Sequence, residues 1–560
     1  MQEPPQPVPP SNEPAAPVPA APSRAWRGGD ALFALAAVGL WLLLSFLAGA
    51  MGELNQDEGW YLLSARLLRE GSLPYRDFAF TQGPAMPLVY ALLYNWIDRF
   101  GLAGVRALTF LFSAVSLGMA TWLATRLAPA RTRRGAGAVT ALLIAVNAYQ
   151  CQFSCTVKTY ALSSLFFLLG ILFLTHVGSR RHGAIFPPAA AGVALALAAA
   201  TRISFAPALG VTGLYLLLLQ RRAAAWAWLD FGLGALLALA LAFLPFCAAG
   251  PEGFRFGLIE YHVLRESGTL LSQLFLKGGA AIRLLGAYLP AFLLLASVVC
   301  VRLARRRAGR PAPPEDRPAT MRLPAGFHAF LWVLLAVESA VHFAAPFPYD
   351  DYQVPLYPLF CALLGAAAAW TWGGTIRGSR KRAALWMLLA VLAVYAVASE
   401  TFFGWFVAGR DRLWWRVKRE SPLRELARAA ERAKELAAGQ GTILTQDTYL
   451  AVEAGLDVPR EFAMGPFSYY PDFPDGRARA IGVANRGTLR ALLEDSGIRL
   501  LVRSGYGFAV ACPEVRPLSP EETREIEELV DRHFELVETW PAFGQARTPL
   551  EFRVRKERAE

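Results

Sequence analysis

From residue 31 to residue 50 the chain reads ALFALAAVGLWLLLSFLAGA, without one charged side chain. About 20 such residues are needed for a helix to cross the hydrocarbon core of a bilayer. Further apolar segments follow near 85–97, 103–125, 137–153, 160–178, 187–201, 203–220, 231–248, 282–303, 327–345, 354–373 and 383–405. A single soluble core cannot absorb so many, and the pattern predicts a polytopic α-helical membrane protein. Segment 85–97 (AMPLVYALLYNWI) is too short to span comfortably and reads as a half-helix or an interfacial helix. Eleven spans remain.

Beyond residue 405 the pattern is that of soluble sequence. Ser421-Pro422 opens a helix that Gly439 and Gly441 close. TILTQD (442–447) and IRLLVRS (498–504) read as short buried strands, and SPEETREIEELVDRHF (519–534) as a capped amphipathic helix. Alternating helix and strand predicts a small α/β layer, expected to fold on its own. Residues 1–29, rich in Pro and Ala, cannot bury a core and read as a disordered cytoplasmic tail. The expected division is therefore 1–29, a membrane domain over 30–405 with a polar first loop at 51–84, and an α/β domain over 406–560.

Charge changes the picture in one respect. The chain is 18% charged, against about 25% in a typical soluble domain. Its net charge of +12 would suggest nucleic acid in a soluble protein. Here the arginines stand at span ends, and topology accounts for them without nucleic acid. Arg24 and Arg27 precede the first span; Arg180 with Arg181, Arg221 with Arg222, Arg305 to Arg307, and Arg377 to Arg382 follow later ones. Placing all of these in the cytoplasm puts the loop 51–84, the loops 249–270 and 346–353, and the C-terminal domain outside. Of six cysteines, Cys151 and Cys155 lie four apart, but nothing nearby completes a metal site, and they read as packing residues.

Candidate chemistry gathers in the loops expected outside. Asp57 and Glu58 follow the first span and precede an amphipathic stretch, GWYLLSARLLREG. Asp57 is there either a general base at the membrane edge or the cap of the helix. Asp77, in PYRDF, is a second carboxylate or a turn residue. Asp350 and Asp351 interrupt two spans among four prolines, as ligands of a divalent cation or as a solvated turn. Arg202, His262 and Arg265 are available to a phosphate, although arginines at span ends also snorkel. No Walker loop, strand-fed GxGxxG or HExxH occurs, so nucleotide-driven chemistry has no support.

The run QDEGWYLLSARLLREGSLPYRDFAFTQGP after a span, with PFPYDDYQVPLYPLF opening a late span and TRISFAP between two others, resembles the GT-C superfamily of membrane glycosyltransferases. It is similar in particular to glycosyltransferase family 39, the dolichyl-phosphate-mannose-protein mannosyltransferase and aminoarabinose-transferase type, over roughly 30–405. The chain departs from the aminoarabinose transferases in having Gln82-Gly83 where they place a Lys before the proline. The resemblance implies an inverting transfer of a sugar from a polyprenyl-phosphate-linked donor to a lipid, glycan or protein acceptor outside the cytoplasm. It implies Asp57 as catalytic base and Glu58 as its catalytic partner. It implies Tyr61, Asp77, Gln82, Arg202, His262, Arg265, Asp350, Asp351 and Tyr352 as substrate contacts, with no certain cofactor beyond a possible divalent cation. Two other classes compete. A lipid or sugar transporter or flippase would carry ionisable residues at mid-membrane and corresponding broken helices. A non-catalytic assembly protein would leave the loop carboxylates unexplained.

Overall fold

A computed structural model describes residues 28–130, 132–177, 186–219, 226–264, 269–309, 323–324, 326–372, 387, 390–391, 420–438, 441–508, 516–545 and 547–557. Most of the expected span 383–405, most of the arginine clusters, Gly439 and Arg265 lie outside the described residues, as does the side chain of Asp350.

The apolar segments are helices: α1 Gly28–Met51, α3 Ala85–Leu92, α4 Tyr94–Leu127, α5 Arg133–Ala145, α7 Thr159–Leu174, α8 Phe186–Thr201, α9 Ala206–Leu219, α10 Ala227–Ala249, α13 Leu270–Ala287, α14 Leu289–Arg307, α15 Phe327–Ala344 and α16 Tyr357–Trp372. Shorter helices lie between them: α2 Gln56–Arg69, α6 Ala148–Phe153, α11 Pro251–Arg255 and α12 Tyr261–Val263. Among the described residues four helices are long and apolar enough to cross a membrane: α4, α10, α13 and α15. A fifth span is made if α1 and α2, bent by 79°, count as one. Helices α7, α8, α9 and α16 are apolar but shorter. At about 1.5 Å per residue, α3 is about 12 Å long and cannot cross. Leu233, Leu236, Leu241 and Leu244 of α10 are more than 60% exposed, a face that only an apolar solvent would tolerate. The chain is a membrane protein on these grounds.

Local sequence explains the breaks that matter. Asn55 caps α2, accepting from the Asp57 amide, and Glu58 reaches back to the Asn55 amide, a capping box. Helix α4 is broken at Gly101, whose φ of 58° places it in the left-handed region that glycine tolerates. The Leu102 amide freed there donates to Glu453 Oε2 at 2.8 Å, from the C-terminal part of the chain.

That part contains α17 Pro422–Leu436, β1 Thr442–Thr445, α18 Thr448–Ala454, α19 Asp475–Ile481, α20 Arg486–Glu494, β2 Ile498–Arg503, α21 Pro520–His533, β3 Phe534–Phe543 and β4 Thr548–Arg555. The sheet order is β1-β2-β4-β3. The β1–β2 pair is parallel, with helices α18 to α20 in the crossover, and the other pairs are antiparallel. The expected α/β layer is present, and the β3–β4 hairpin adds to it.

Its core is not separate. Leu426, Ile443, Tyr449, Leu450 and Phe462 form one buried cluster with Trp60, Leu62 and Leu63 of α2, Tyr90 of α3 and Val105 of α4. Gly59 packs so closely on the Tyr449 amide and Thr448 that a Cβ there would overlap both. Arg66 pairs with Asp457 at 2.7 Å, and Ser421 Oγ donates to the Ala50 carbonyl at 2.6 Å. The C-terminal layer is thereby the floor on which α2 rests.

Candidate functional site

Four helix junctions converge near the start of α2. The turn between α1 and α2 brings Asp57; the residue before α7 is Lys158; the α8–α9 connection brings Arg202; and a short 3-10 turn, Asp350–Gln353, brings Asp351 and Tyr352. Lys158 Nζ stands 3.0 Å from Asp57 Oδ2 and 3.1 Å from Asp351 Oδ2. These three side chains are between 12% and 23% exposed, so the cluster is sheltered but reachable. Trp60 Nε1 donates to the other Asp57 oxygen at 3.2 Å, and Tyr160 donates its hydroxyl to Asp351 Oδ2 at 3.0 Å. Burial opposes the Lys158 charge, but Asp351, with Tyr160 and Asp57, outweighs it and holds the lysine pKa well above its usual range.

Arg202 lies between two aromatic rings, its guanidinium carbon 5.0 Å from the Tyr160 centroid and 4.7 Å from that of Tyr352. It donates to Thr159 Oγ1 at 3.3 Å and to Ser204 Oγ at 3.1 Å, and makes no ion pair among the described residues. Two carboxylates and two cations therefore share one sheltered space. The Tyr61 ring stacks on that of Trp60, with centroids 3.8 Å apart.

Several expectations meet the structure differently. Asp57 does not cap α2; Asn55 does, so the capping reading of Asp57 is removed. Glu58, expected as the catalytic partner of Asp57, is fully buried and turned away from the cluster. Both its oxygens are taken by Arg106, at 2.9 and 2.7 Å, and by the Asn55 and Val157 amides. It is a structural ion pair. Asp77 pairs with Arg76 at 2.7 Å and accepts from the Leu73 amide, the turn role. His262 packs against Tyr261, whose ring belongs to a cluster with Tyr470 and Ile481 of the C-terminal layer. The structure brings neither Asp77 nor His262 to the cluster. Gln82 lies nearer by chain connection: its carbonyl accepts from Tyr75, and the following Gly83 packs on the Ala200 carbonyl at the end of α8. Asp351 does not stand as an open cation ligand, because the Lys158 ammonium occupies the position between the two carboxylates.

Lys158, Tyr160 and Arg106 are not singled out by the sequence reading, and Lys158 had a signal. A lysine at the start of an apolar span deserves the scrutiny given to Arg202. His342 and Glu338, one turn apart inside α15, are also new. His342 Nε2 is 2.8 Å from Ser204 Oγ and so supports the Arg202 end of the cluster.

Beside the cluster opens an apolar cavity of about 470 Å³, lined by Tyr288, Phe292, Trp332, Phe343, Gln353 and Tyr357 among others. Gln353 belongs to the 3-10 turn that carries Asp351 and Tyr352, so turn and cavity share a wall.

No protein-family model and no curated protein matches the sequence. Among solved structures, ArnT from Cupriavidus metallidurans bound to undecaprenyl phosphate matches over 94% of this chain and 98% of its own, with a TM-score of 0.56 and 16% identity. The apo state of the same protein matches over the same shares with a TM-score of 0.53, also at 16% identity. Likeness at that identity speaks for the fold.

Proposed function

We propose, from the GT-C fold that this chain shares with ArnT as premise, that the protein is a membrane glycosyltransferase using a polyprenyl-phosphate-linked sugar. The observation that carries the reading is the sheltered Asp57 carboxylate among two cations, beside an apolar cavity. The ArnT structure holds undecaprenyl phosphate, a ligand with the same two needs. In the proposed step Asp57 takes the proton of an acceptor hydroxyl as its oxygen attacks the anomeric carbon. The new carbon–oxygen bond forms while the bond to the phosphate oxygen breaks, and the electron pair leaves on the polyprenyl phosphate. Arg202, whose planar fork has no carboxylate partner among the described residues, stabilises that charge. Attack from one face and departure from the other invert the anomeric centre. The prenyl chain lies in the apolar cavity, and Tyr61, Gln82 and Tyr352 border the donor. The acceptor is a lipid, glycan or protein hydroxyl.

Mass spectrometry of lipid co-purified with the protein is the direct test. A sugar linked to a polyprenyl phosphate is expected, enriched over the same lipid in the bulk membrane extract. A preparation that transfers no sugar from any such lipid, and enriches none, would overturn the reading.

We also place the site and the C-terminal layer outside the cytoplasm, in a chain of eleven spans with a cytoplasmic N-terminus. The support is geometric. Arg302 Nε donates to Thr371 at 3.1 Å, at the end of α16 opposite to Asp351. Arg305 to Arg307, one turn further along α14, therefore stand on the face away from the site, where the charge rule puts the cytoplasm. A reporter active only outside the cytoplasm, fused after residue 560, should be active. Activity from a cytoplasmic reporter in its place would reverse the orientation.

A further inference from the structure

The motif loop offers the donor no cation near its proline. Position 82 is Gln, and position 83 has no room for a side chain, because a Cβ on Gly83 would run into the Ala200 carbonyl. The positive charge for a phosphate must come from elsewhere in the site. Arg202 is one source. The other is Lys158, whose ammonium is engaged by Asp57 and Asp351 and stands over the rings of Phe153 and Tyr160 at 5.2 and 5.4 Å. Both oxygens of Asp57 are then occupied, one by Trp60 and one by Lys158. Each oxygen keeps a second lone pair, but an acceptor hydroxyl that approaches Oδ2 must do so alongside the Lys158 ammonium.

We propose that Lys158 is a shared cation that holds Asp57 and Asp351 in the donor-free site and transfers to the donor phosphate when the lipid binds, releasing Asp57 Oδ2 to act as the base. The proposal rests on the transferase reading above. It requires only a side-chain movement. A lysine is a compact charge on a flexible four-carbon stem, and its ammonium can exchange one oxygen partner for another without backbone change. Its backbone, in contrast, is fixed: Lys158 sits between Val157, whose amide donates to Glu58, and the first turn of α7. The device couples the freeing of Asp57 Oδ2 to the arrival of the phosphate, so that the base is unencumbered when the donor is in place. It also makes donor binding a competition between the phosphate and two carboxylates for one ammonium.

That competition gives a test that does not require the sugar to be known. Binding of undecaprenyl phosphate is compared with binding of undecaprenol, which has the same tail and no charge, to full-length protein in nanodiscs. The parent should prefer the phosphate. Lys158→Met, similar in length and uncharged, should lose about 10- to 100-fold of that preference, the loss expected of one charge-assisted contact. Lys158→Arg should keep most of it. Asp57→Asn and Asp351→Asn should each bind the phosphate more tightly than the parent, because each removes a competitor for Lys158. Parent-like preference in a folded Lys158→Met protein, or weaker phosphate binding in both Asn variants, would overturn the proposal while leaving the transferase reading intact. A parent with no preference for the phosphate over undecaprenol would take down both.

Discussion

Asp57→Asn should lower sugar transfer by about 10²–10⁴-fold, the usual contribution of a general base, while the protein inserts and melts like the parent. Asparagine matches aspartate in size and keeps an oxygen to accept from Trp60, whose Nε1 lies 3.2 Å from Asp57 Oδ1. It removes the proton acceptor and one of the two carboxylate partners of Lys158, which keeps Asp351. The capping argument, which would otherwise confuse the result, does not apply. Asn55 accepts the Asp57 amide and Glu58 closes the capping box, so the cap of α2 survives a change at residue 57. Asp57→Ala is the poorer probe, because it also strips the buried Trp60 indole and Lys158 of a partner and should lower stability for that reason. Transfer rate and melting temperature, measured on the same preparations, separate the two effects. A well-folded Asp57→Asn protein that transfers sugar at the parental rate would remove Asp57 as the base.

How much of this site was legible in the sequence depends on the range of the interactions. The acidic pair, the arginine in TRISFAP and the aspartates of PYDDY announce themselves locally, and Asp57, Arg202 and Asp351 do meet. Lys158 does not announce itself, because its partners are remote: Asp351 is 193 positions further along the chain. Within CTVKTYALSS it looks like one more lysine at a span edge, and only the convergence of α2, α7 and the 350–353 turn gives it two carboxylates. The error over Glu58 is of another kind, because its signal was local. Asn55 followed three residues later by Glu58, ahead of an apolar run, has the spacing of a capping box, and that spacing separates the roles of two adjacent acids. The C-terminal layer shows a third limit. Its helices and parallel strands follow from caps and apolar runs, but β3 continues directly from α21, His533 to Phe534, with no turn residue to mark it. That its core joins α2, α3 and α4 is a property of tertiary packing, and no periodicity reports it.

Breaking the Glu58–Arg106 pair from one side should destabilise the protein by about 3–5 kcal/mol, the range for stranding one member of a buried ion pair. The pair is fully enclosed, with side-chain exposures of 3% for Arg106 and 0% for Glu58. Arg106 also donates to the Gly49, Gly52 and Glu53 carbonyls at 2.8 to 3.0 Å, satisfying the end of α1 where no further helix turn can. Glu58 in turn accepts from Val157, the residue before Lys158. One ion pair thus ties the end of α1, the start of α2, the part of α4 just past the Gly101 break and the segment that carries Lys158. Arg106→Met should therefore lower the melting temperature sharply and take activity with it, by letting Asp57 and Lys158 drift apart. Glu58→Gln should also be costly, because it leaves the Arg106 charge buried without a counterion. The double variant Glu58→Gln, Arg106→Met should recover part of the stability, since no unpaired charge then remains. An Arg106→Met protein that melts with the parent would show that the pair does not hold this junction. In that case the placement of Asp57 would rest on the C-terminal floor alone, through the packing of Gly59 on Tyr449.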